Sequence, residues 1–168
     1  MISFIYGGDK MKLLFKQRVF TWIDSYDIYD ESGNVVYIVK GQLSWGHKLH
    51  IYDAMGIHVG TLKEVVMSFI PRFTMYVNNQ CIGQIRKEFT LFKPSFVLEC
   101  NDWQITGNFW QWDYEIVDRN GSLIGAISKE IFNISDTYTL DIIDPNNALL
   151  VLMTVLAIDA QKCSHNNN

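Results

Sequence analysis

The stretch that decides the fold is Ile28–Val36, IYDESGNVV, because the chain repeats its pattern. Copies occur at Ile51–Val59 (IYDAMGIHV) and Ile116–Ile124 (IVDRNGSLI), and a shorter relative lies at Met75–Ile82 (MYVNNQCI). Aspartate accepts hydrogen bonds from the backbone just ahead of it, and glycine adopts positive φ at little cost. Asp-x-x-Gly therefore predicts a type I turn closed by a glycine bulge. The sequence predicts β-hairpins repeated along the chain.

The residues around these turns predict how the hairpins assemble. Apolar and polar residues alternate after each turn, as in Val35, Tyr37 and Val39, which is the period of a β-strand. In both halves of the chain a hairpin is followed by a glycine-led aromatic segment, at Gly41 and at Gly107, and then by another hairpin. We read a duplicated meander of about twelve short strands. Because the open edges of so long a sheet invite aggregation, we expect a closed antiparallel barrel.

The end of the chain predicts one helix. Asp144 suits an N-cap and Pro145 the first helical position, and the run Ala148–Ile158 is apolar except for Thr154. A helix that is apolar on every face must be enclosed on every side. A transmembrane span is the alternative, but the run has eleven residues, whereas a bilayer needs about 20. We therefore predict a helix from about residue 145 to 160, threaded through the barrel, and no transmembrane span.

Length and composition predict one packed domain. The 168 residues are 48% hydrophobic and 14% aromatic, which is typical of a globular core. We expect an N-terminal extension over residues 1–10, a single barrel domain over 11–162 and a disordered tail over 163–168. The net charge of −4 predicts no general affinity for nucleic acid.

The three cysteines bear on the compartment. Cys81, Cys100 and Cys163 are odd in number and contain no CxxC pair, so they fit neither a disulfide framework nor a zinc ribbon. We expect reduced thiols. The first residues lack a basic segment followed by an apolar one, so no secretory signal is predicted. Together these features favour a cytoplasmic protein, either free or peripheral to the membrane.

Several motifs resemble one known family. The sequence is similar to the LURP-one-related family, which is grouped with tubby C-terminal domains and phospholipid scramblases. The resemblance runs from Met11 to about Gln161 and is typical of the compact bacterial single-domain type. It rests on the segments at residues 29–33 (YDESG), 49–53 (LHIYD), 127–130 (ISKE) and 136–141 (DTYTLD), and on the apolar helix after Asp144.

The resemblance implies a barrel around a central helix and a possible link to membrane lipid. Tubby domains bind phosphoinositide headgroups, and scramblases act on membrane lipids. The proline-rich N-terminus, the clustered cysteines and the calcium loop of scramblases have no counterpart in this sequence. The resemblance therefore favours lipid binding over scramblase activity.

The candidate binding residues are the lysines that end the hairpin copies. Lys40, Lys63, Lys87 and Lys129 follow strands that run in the same direction, so we expect them near one rim, opposite the Asp-Gly turns. Arg72, in a predicted loop, adds to this lipid-headgroup site. Each base near an anionic surface contributes about 1 kcal/mol. The alternative is that glutamates directly after three of the lysines cancel their charge, and that edge lysines only protect strands from aggregation.

No catalytic motif is apparent in the sequence. His47 and His50 are three residues apart on a predicted strand and face opposite ways, so a shared metal is not expected. Asp30, Asp53 and Asp118 are explained as turn formers. We therefore predict a non-enzymatic binding module without cofactor or metal, whose partner is anionic phospholipid or a protein. The alternatives are a protein-interaction scaffold and a carrier of a small hydrophobic ligand, against which a helix filling the barrel argues.

Overall fold

The computed structural model describes residues 10–16, 25–70, 72–88, 95–108, 111, 113–130 and 137–165. Within these residues the chain forms strands joined in sequence order, followed by a 3₁₀ turn and a helix. The strands are β1 (Met11–Lys16), β2 (Ser25–Tyr29), β3 (Val35–Ser44), β4 (Gly46–Asp53), β5 (His58–Glu64), β6 (Arg72–Val77), β7 (Gln80–Glu88), β8 (Ser95–Leu98), β9 (Trp103–Asn108), β10 (Asp113–Val117), β11 (Leu123–Glu130) and β12 (Thr137–Ile142). The 3₁₀ turn is Pro145–Asn147 and the helix is α1 (Ala148–His165).

The strands close into a barrel. Each strand pairs antiparallel with its neighbours in sequence, and β1 pairs with β12 from Met11 opposite Ile142 to Lys16 opposite Thr137. The closure leaves no free sheet edge between the first and last strands. The predicted architecture, a closed antiparallel barrel of about twelve strands with a C-terminal helix, is confirmed.

The hairpin turns form as the repeated motif predicts. The Asp30 carboxylate accepts hydrogen bonds from the backbone nitrogens of Ser32 and Asn34, at 2.9 and 2.8 Å. The backbone nitrogen of Gly33 donates to the Asp30 carbonyl, and Gly33 has a φ of 82°. The same bonds recur at Asp53 and Asp118. These aspartates are therefore turn formers, and their carboxylates are occupied by their own turns.

The two ends of the barrel differ. The turn rim carries the Asp-x-x-Gly turns, the shorter turn at Asn78 and Asn79, and the start of α1. The loop rim, at the other end, carries the tight β3–β4 hairpin around Trp45 and the β5–β6 loop over residues 65–71, of which Pro71 lies outside the described residues. Strands β3, β5, β7 and β11 all run toward the loop rim.

Helix α1 fills the barrel. The Asp144 carboxylate caps it by accepting from the backbone nitrogen of Asn146 at 3.0 Å, and Pro145 follows as predicted. Every residue from Val151 to Gln161 is buried. The Thr154 hydroxyl donates to the Leu150 carbonyl at 2.8 Å, which satisfies the one polar group that interrupts the apolar run.

Glycines on the strands let the helix approach closely. A Cβ at Gly60 would lie 3.3 Å from Sδ of Met153, and one at Gly125 would lie 3.5 Å from Cγ1 of Val151. A Cβ at either position would already touch α1, so a longer side chain there would need the helix to shift. The absence of side chains there thus fits the lumen to this helix.

The α-helix continues to His165, beyond the predicted end near residue 160, so residues 163–165 belong to the helix and not to a tail. Strand β1 begins at Met11 and ends at Lys16, and residues 17–24 lie outside the described residues. Residues 1–9 and 166–168 also lie outside them. No helix in the described ranges has the length and apolar content to cross a bilayer.

Candidate functional site

A group of large apolar side chains is exposed at the loop rim. Trp45 is 92% exposed, Met67 98%, Phe69 106% and Val66 50%. Trp45 lies at the tip of the β3–β4 hairpin and the other three lie in the β5–β6 loop. We call these four residues the apolar tip. Clustered exposed apolar side chains of this size mark a site of interaction with a partner or a membrane.

The two segments that carry the apolar tip are in contact through Gly46 and Val66. Gly46, next to Trp45, packs so closely on Val66 that a Cβ at Gly46 would collide with Cγ2 of Val66. Gly46 also has a φ of 85°, which side chains rarely adopt. A glycine is therefore required here by both its backbone and its neighbour, and it lets the hairpin tip rest on the β5–β6 loop.

A partly buried contact between Glu64 and His47 holds the β3–β4 hairpin in place below the apolar tip. One oxygen of the Glu64 carboxylate, Oε2, accepts from the backbone nitrogen of His47 at 2.8 Å and from its Nδ1 at 2.6 Å. The hydrogen bond from the His47 side chain is the largest cause that lowers the pKa of Glu64, and burial opposes it. Within the loop, Arg72 Nε donates to the Ser68 hydroxyl at 2.7 Å. These bonds brace both segments that carry the apolar tip.

A row of basic residues lies on the outer wall beside the apolar tip. Lys48 on β4 is directly opposite Lys63 on β5. Both alternate with buried leucines, so both face outward. Arg72 on β6 also faces outward. Lys63 is opposite Thr74, which follows Arg72 by two residues on a strand that runs away from the loop rim. Arg72 therefore lies closer to the loop rim than Lys63 does. We call Lys48, Lys63 and Arg72 the basic stripe.

The lysines of the basic stripe are not neutralised by any carboxylate of the described residues. Within the described part of the chain, no carboxylate lies within ion-pair distance of Lys48 or Lys63. Glu64, which the sequence places beside Lys63, turns to His47 instead. Like charges directly opposite one another across a strand pair are destabilising. An anion bound from outside would relieve this repulsion.

The predicted lysines divide between different faces. Lys63 and Arg72 belong to the basic stripe. Lys40 lies in mid-strand, four residues before the end of β3 at Ser44. Its Nζ is 4.9 Å from the centre of the Tyr52 ring, on the outer wall. Lys40 is therefore away from the loop rim, contrary to the expected ring.

Lys87 and Lys129 do end their strands at the loop rim. They share the strand face of the buried Ile85 and Ile127, however, and not that of the basic stripe. Lys87 is opposite Phe96 in register, and Lys129 Nζ lies 6.0 Å from the centre of the Tyr138 ring. The structure thus brings two of the five predicted residues together and adds Lys48, which the sequence analysis missed.

A polar pocket lies at the opposite end of the molecule. It has a volume of about 470 Å³ at the turn rim and is lined by residues that include Cys100, Asp102, Asp118, Arg119 and Asn147. The Asp118 carboxylate is held by its own turn. Burial raises the pKa of the Cys100 thiol. In the described ranges, no group of three or more His, Cys, Asp or Glu side chains is arranged to hold a metal ion.

Comparisons with known proteins agree with this architecture. The model of the LURP-one-related family matches residues 11–159. The uncharacterised protein YxjI of Bacillus subtilis is 25% identical over 150 residues, covering 89% of this chain and 92% of its own. A solved structure of an Arabidopsis thaliana protein aligns over 89% of this chain and 91% of its own, with a TM-score of 0.61 and 13% identity. The last similarity concerns the fold alone.

Proposed function

The chain belongs to the LURP-one-related family, and from that premise we propose that it is a non-enzymatic module that docks on anionic membrane surfaces through its loop rim. The observation that carries the proposal is the apolar tip standing beside the basic stripe. Trp45, Met67 and Phe69 are almost fully exposed, and Lys48 and Lys63 face outward without a carboxylate partner among the described residues. An apolar tip next to unpaired bases is the combination that anionic interfaces favour.

The energies involved are those of reversible docking. Full burial of a side chain such as Phe or Met stabilises by about 1.5–3 kcal/mol. Each base of the stripe adds about 1 kcal/mol near an anionic surface. Tryptophan is enriched at the headgroup level of membranes, which suits Trp45 at a hairpin tip. Partial burial of the apolar tip plus the stripe therefore supports peripheral and reversible binding.

The distance between the apolar tip and the basic stripe suits the interface of a membrane with water. Lys63 precedes Val66 by three residues, which is about 10 Å of extended chain at the usual rise of a strand. When the apolar tip enters the boundary between headgroups and acyl chains, the stripe reaches headgroup depth. The negative surface of the cytoplasmic leaflet is the natural target of such a stripe. We therefore place the protein in the cytoplasm, peripheral to the membrane.

The other candidate functions have less support. A carrier of a hydrophobic ligand needs lumen space, and α1 is buried along Val151–Gln161 inside the barrel. A protein partner could use the same apolar tip, but the unpaired bases favour a surface that is both apolar and anionic. The vesicle experiment below separates the two.

Sedimentation with lipid vesicles tests the proposal. The chain is mixed with vesicles of neutral phosphatidylcholine or of phosphatidylcholine with anionic phosphatidylserine, at low and high salt. We expect binding to anionic vesicles that weakens as salt rises. The double substitution Lys48→Glu with Lys63→Glu should weaken binding by about 30-fold or more, from about 1 kcal/mol per lysine.

Arg119→Glu is the matched control, because Arg119 is exposed on the turn rim, at the other end of the barrel. It should bind as the parent chain does. Failure to bind either kind of vesicle would exclude membrane docking and leave a protein partner. Equal losses in the stripe and control variants would contradict the placement of the site.

A further inference from the structure

Two histidines that are eight residues apart in sequence meet on the outer wall of the barrel. His50 on β4 and His58 on β5 bring Nδ1 and Nε2 to 3.3 Å from each other. The Thr61 hydroxyl lies 3.1 Å from the first nitrogen and 2.8 Å from the second. The two ring nitrogens and the hydroxyl oxygen therefore lie within 3.3 Å of one another. His47, as predicted, faces the other way and binds Glu64.

The register explains how the histidines meet. Strand β4 is paired with β5 so that His50 is opposite Thr61, while Tyr52 is opposite His58. A β-bulge at Val59 shifts the register between these pairs, because Ile51 is opposite Gly60 and Tyr52 is opposite His58. The shift sets His58 diagonally across from His50. The imidazole rings have centres 5.4 Å apart and planes inclined at 60°, so they converge by their edges and do not stack.

A fourth residue fixes the tautomer of His50. Its Nε2 donates to Oε1 of Gln42 at 2.9 Å, which leaves Nδ1 with a lone pair that points toward His58 and Thr61. Histidines that bind metals usually donate their second nitrogen to such an acceptor.

The distance between the two ring nitrogens fits the coordination geometry of a zinc ion. Two zinc–nitrogen bonds of about 2.05 Å that span this 3.3 Å separation enclose an angle of about 107°, close to the tetrahedral angle. Water molecules would complete the coordination, and the Thr61 hydroxyl lies within hydrogen-bond distance of both nitrogens. Lys40, opposite His50 in register, and Lys48 on the same face repel a cation. Their charge limits the affinity without blocking the two nitrogens.

We propose that His50 and His58, supported by Thr61 and Gln42, form a surface site for a divalent zinc ion. The site is distinct from the loop rim and from the Asp-x-x-Gly turns. None of its proposed ligands belongs to the apolar tip or to the basic stripe, so zinc binding and membrane docking can be tested separately.

Calorimetric titration of the whole chain with zinc chloride at pH 7.5 tests the proposal. We expect binding of one ion per chain, and at least tenfold weaker binding after His50→Gln or His58→Gln. Gln42→Ala should weaken it by a smaller factor through loss of the hydrogen bond to Nε2. Two matched controls should bind as the parent chain does. His47→Gln removes the histidine on the opposite face of β4, and Cys81→Ser removes an exposed thiol that could itself hold zinc.

A spectroscopic readout covers the case in which a variant folds poorly. Nitrogen-15 NMR of the parent chain should show zinc-dependent shifts of His50 Nδ1 and His58 Nε2, and no comparable shift of His47. Zinc affinity that is unchanged by the His50→Gln, His58→Gln double substitution would overturn the proposal. So would loss of affinity in the Cys81 variant with no shift at either histidine, which would identify adventitious thiol binding.

Discussion

The Glu64 carboxylate lies 2.6 Å from Nδ1 of His47 and holds the β3–β4 hairpin against the end of β5. Oε2 of Glu64 also accepts a hydrogen bond from the His47 backbone nitrogen. The Glu64 side chain therefore restrains both the backbone of the hairpin and the imidazole of His47. Both side chains are about four-fifths covered, at 22% exposure each. Trp45 and Val66 lie just beyond this pair. The position of the apolar tip therefore depends on the contact between Glu64 and His47, which cannot be predicted from the sequence of either strand alone.

Glu64→Gln should destabilise the protein in a pH-dependent way. The lowered pKa of Glu64 means that its contribution is present above the usual glutamate value of about 4.3 and is lost as pH falls through the lowered value. We expect the variant to lose about 1–2 kcal/mol at pH 7 and progressively less as the pH falls below about 4.3. Urea denaturation across this pH range measures the difference.

Glu99→Gln is the control for that experiment. Glu99 pairs with Arg86 at 3.0 Å, but its side chain is 45% exposed. Exposed pairs contribute little, so the expected loss is below about 0.5 kcal/mol. A loss for Glu64→Gln that stays constant from pH 7 to pH 3 would show that the carboxylate does not act through its charge.

Gly46→Ala should cost more stability than Gly33→Ala. Both glycines have positive φ, 85° and 82°. A Cβ at Gly33 meets nothing within 4 Å, whereas one at Gly46 collides with Val66. The shared backbone cost is about 1 kcal/mol, so the excess for Gly46→Ala reports the contact between the hairpin and the β5–β6 loop. Equal midpoints in urea denaturation would mean that the two loops are not packed together.

Leu152→Ala should cost about 2–5 kcal/mol, because Leu152 on α1 has no exposed surface and its removal leaves a cavity in the filled barrel. Leu123→Ala is the comparison. Leu123 is 41% exposed at the start of β11, and its loss should cost below about 1 kcal/mol. Thermal or urea unfolding provides both values. Similar small losses would contradict a helix enclosed by the strands.

Local signals in the sequence were sufficient for the architecture. The Asp-x-x-Gly turns and the Asp144-Pro145 helix start each act within a few residues of chain, so their geometry follows from residue type alone. The apolar run from Ala148 required enclosure on all sides, and a closed barrel provides it. Helix α1 continues past its predicted end, and Gln161, just beyond that end, is buried despite its amide.

The candidate site depended on register, which the sequence does not specify. Lys48 joins Lys63 only through the pairing of β4 with β5, and Lys87 falls on the inward face because β7 alternates from the buried Ile85. Residues 65–70 contain five apolar side chains and resemble a buried strand. Only their position at the rim of a closed barrel explains why Met67 and Phe69 are exposed.

The apolar tip should be needed for vesicle binding. Met67→Ser with Phe69→Ser removes two exposed apolar side chains from the loop rim and should weaken binding to anionic vesicles at least tenfold. Met55→Ser with Ile57→Ser is the matched control, because these residues are 80% and 56% exposed at the turn rim. The control should sediment with vesicles as the parent chain does. If both pairs weaken binding alike, the loop rim is not the docking end.

Quenching of Trp45 fluorescence by lipids brominated on their acyl chains tests the docking geometry most directly. The chain has five tryptophans, so the signal of Trp45 is obtained by comparison with Trp45→Phe, which should still bind because an aromatic side chain remains. The account predicts that anionic brominated vesicles quench the parent chain and that Trp45→Phe loses most of this quenching. Bound protein whose quenching is the same with and without Trp45 would contradict insertion of the loop rim.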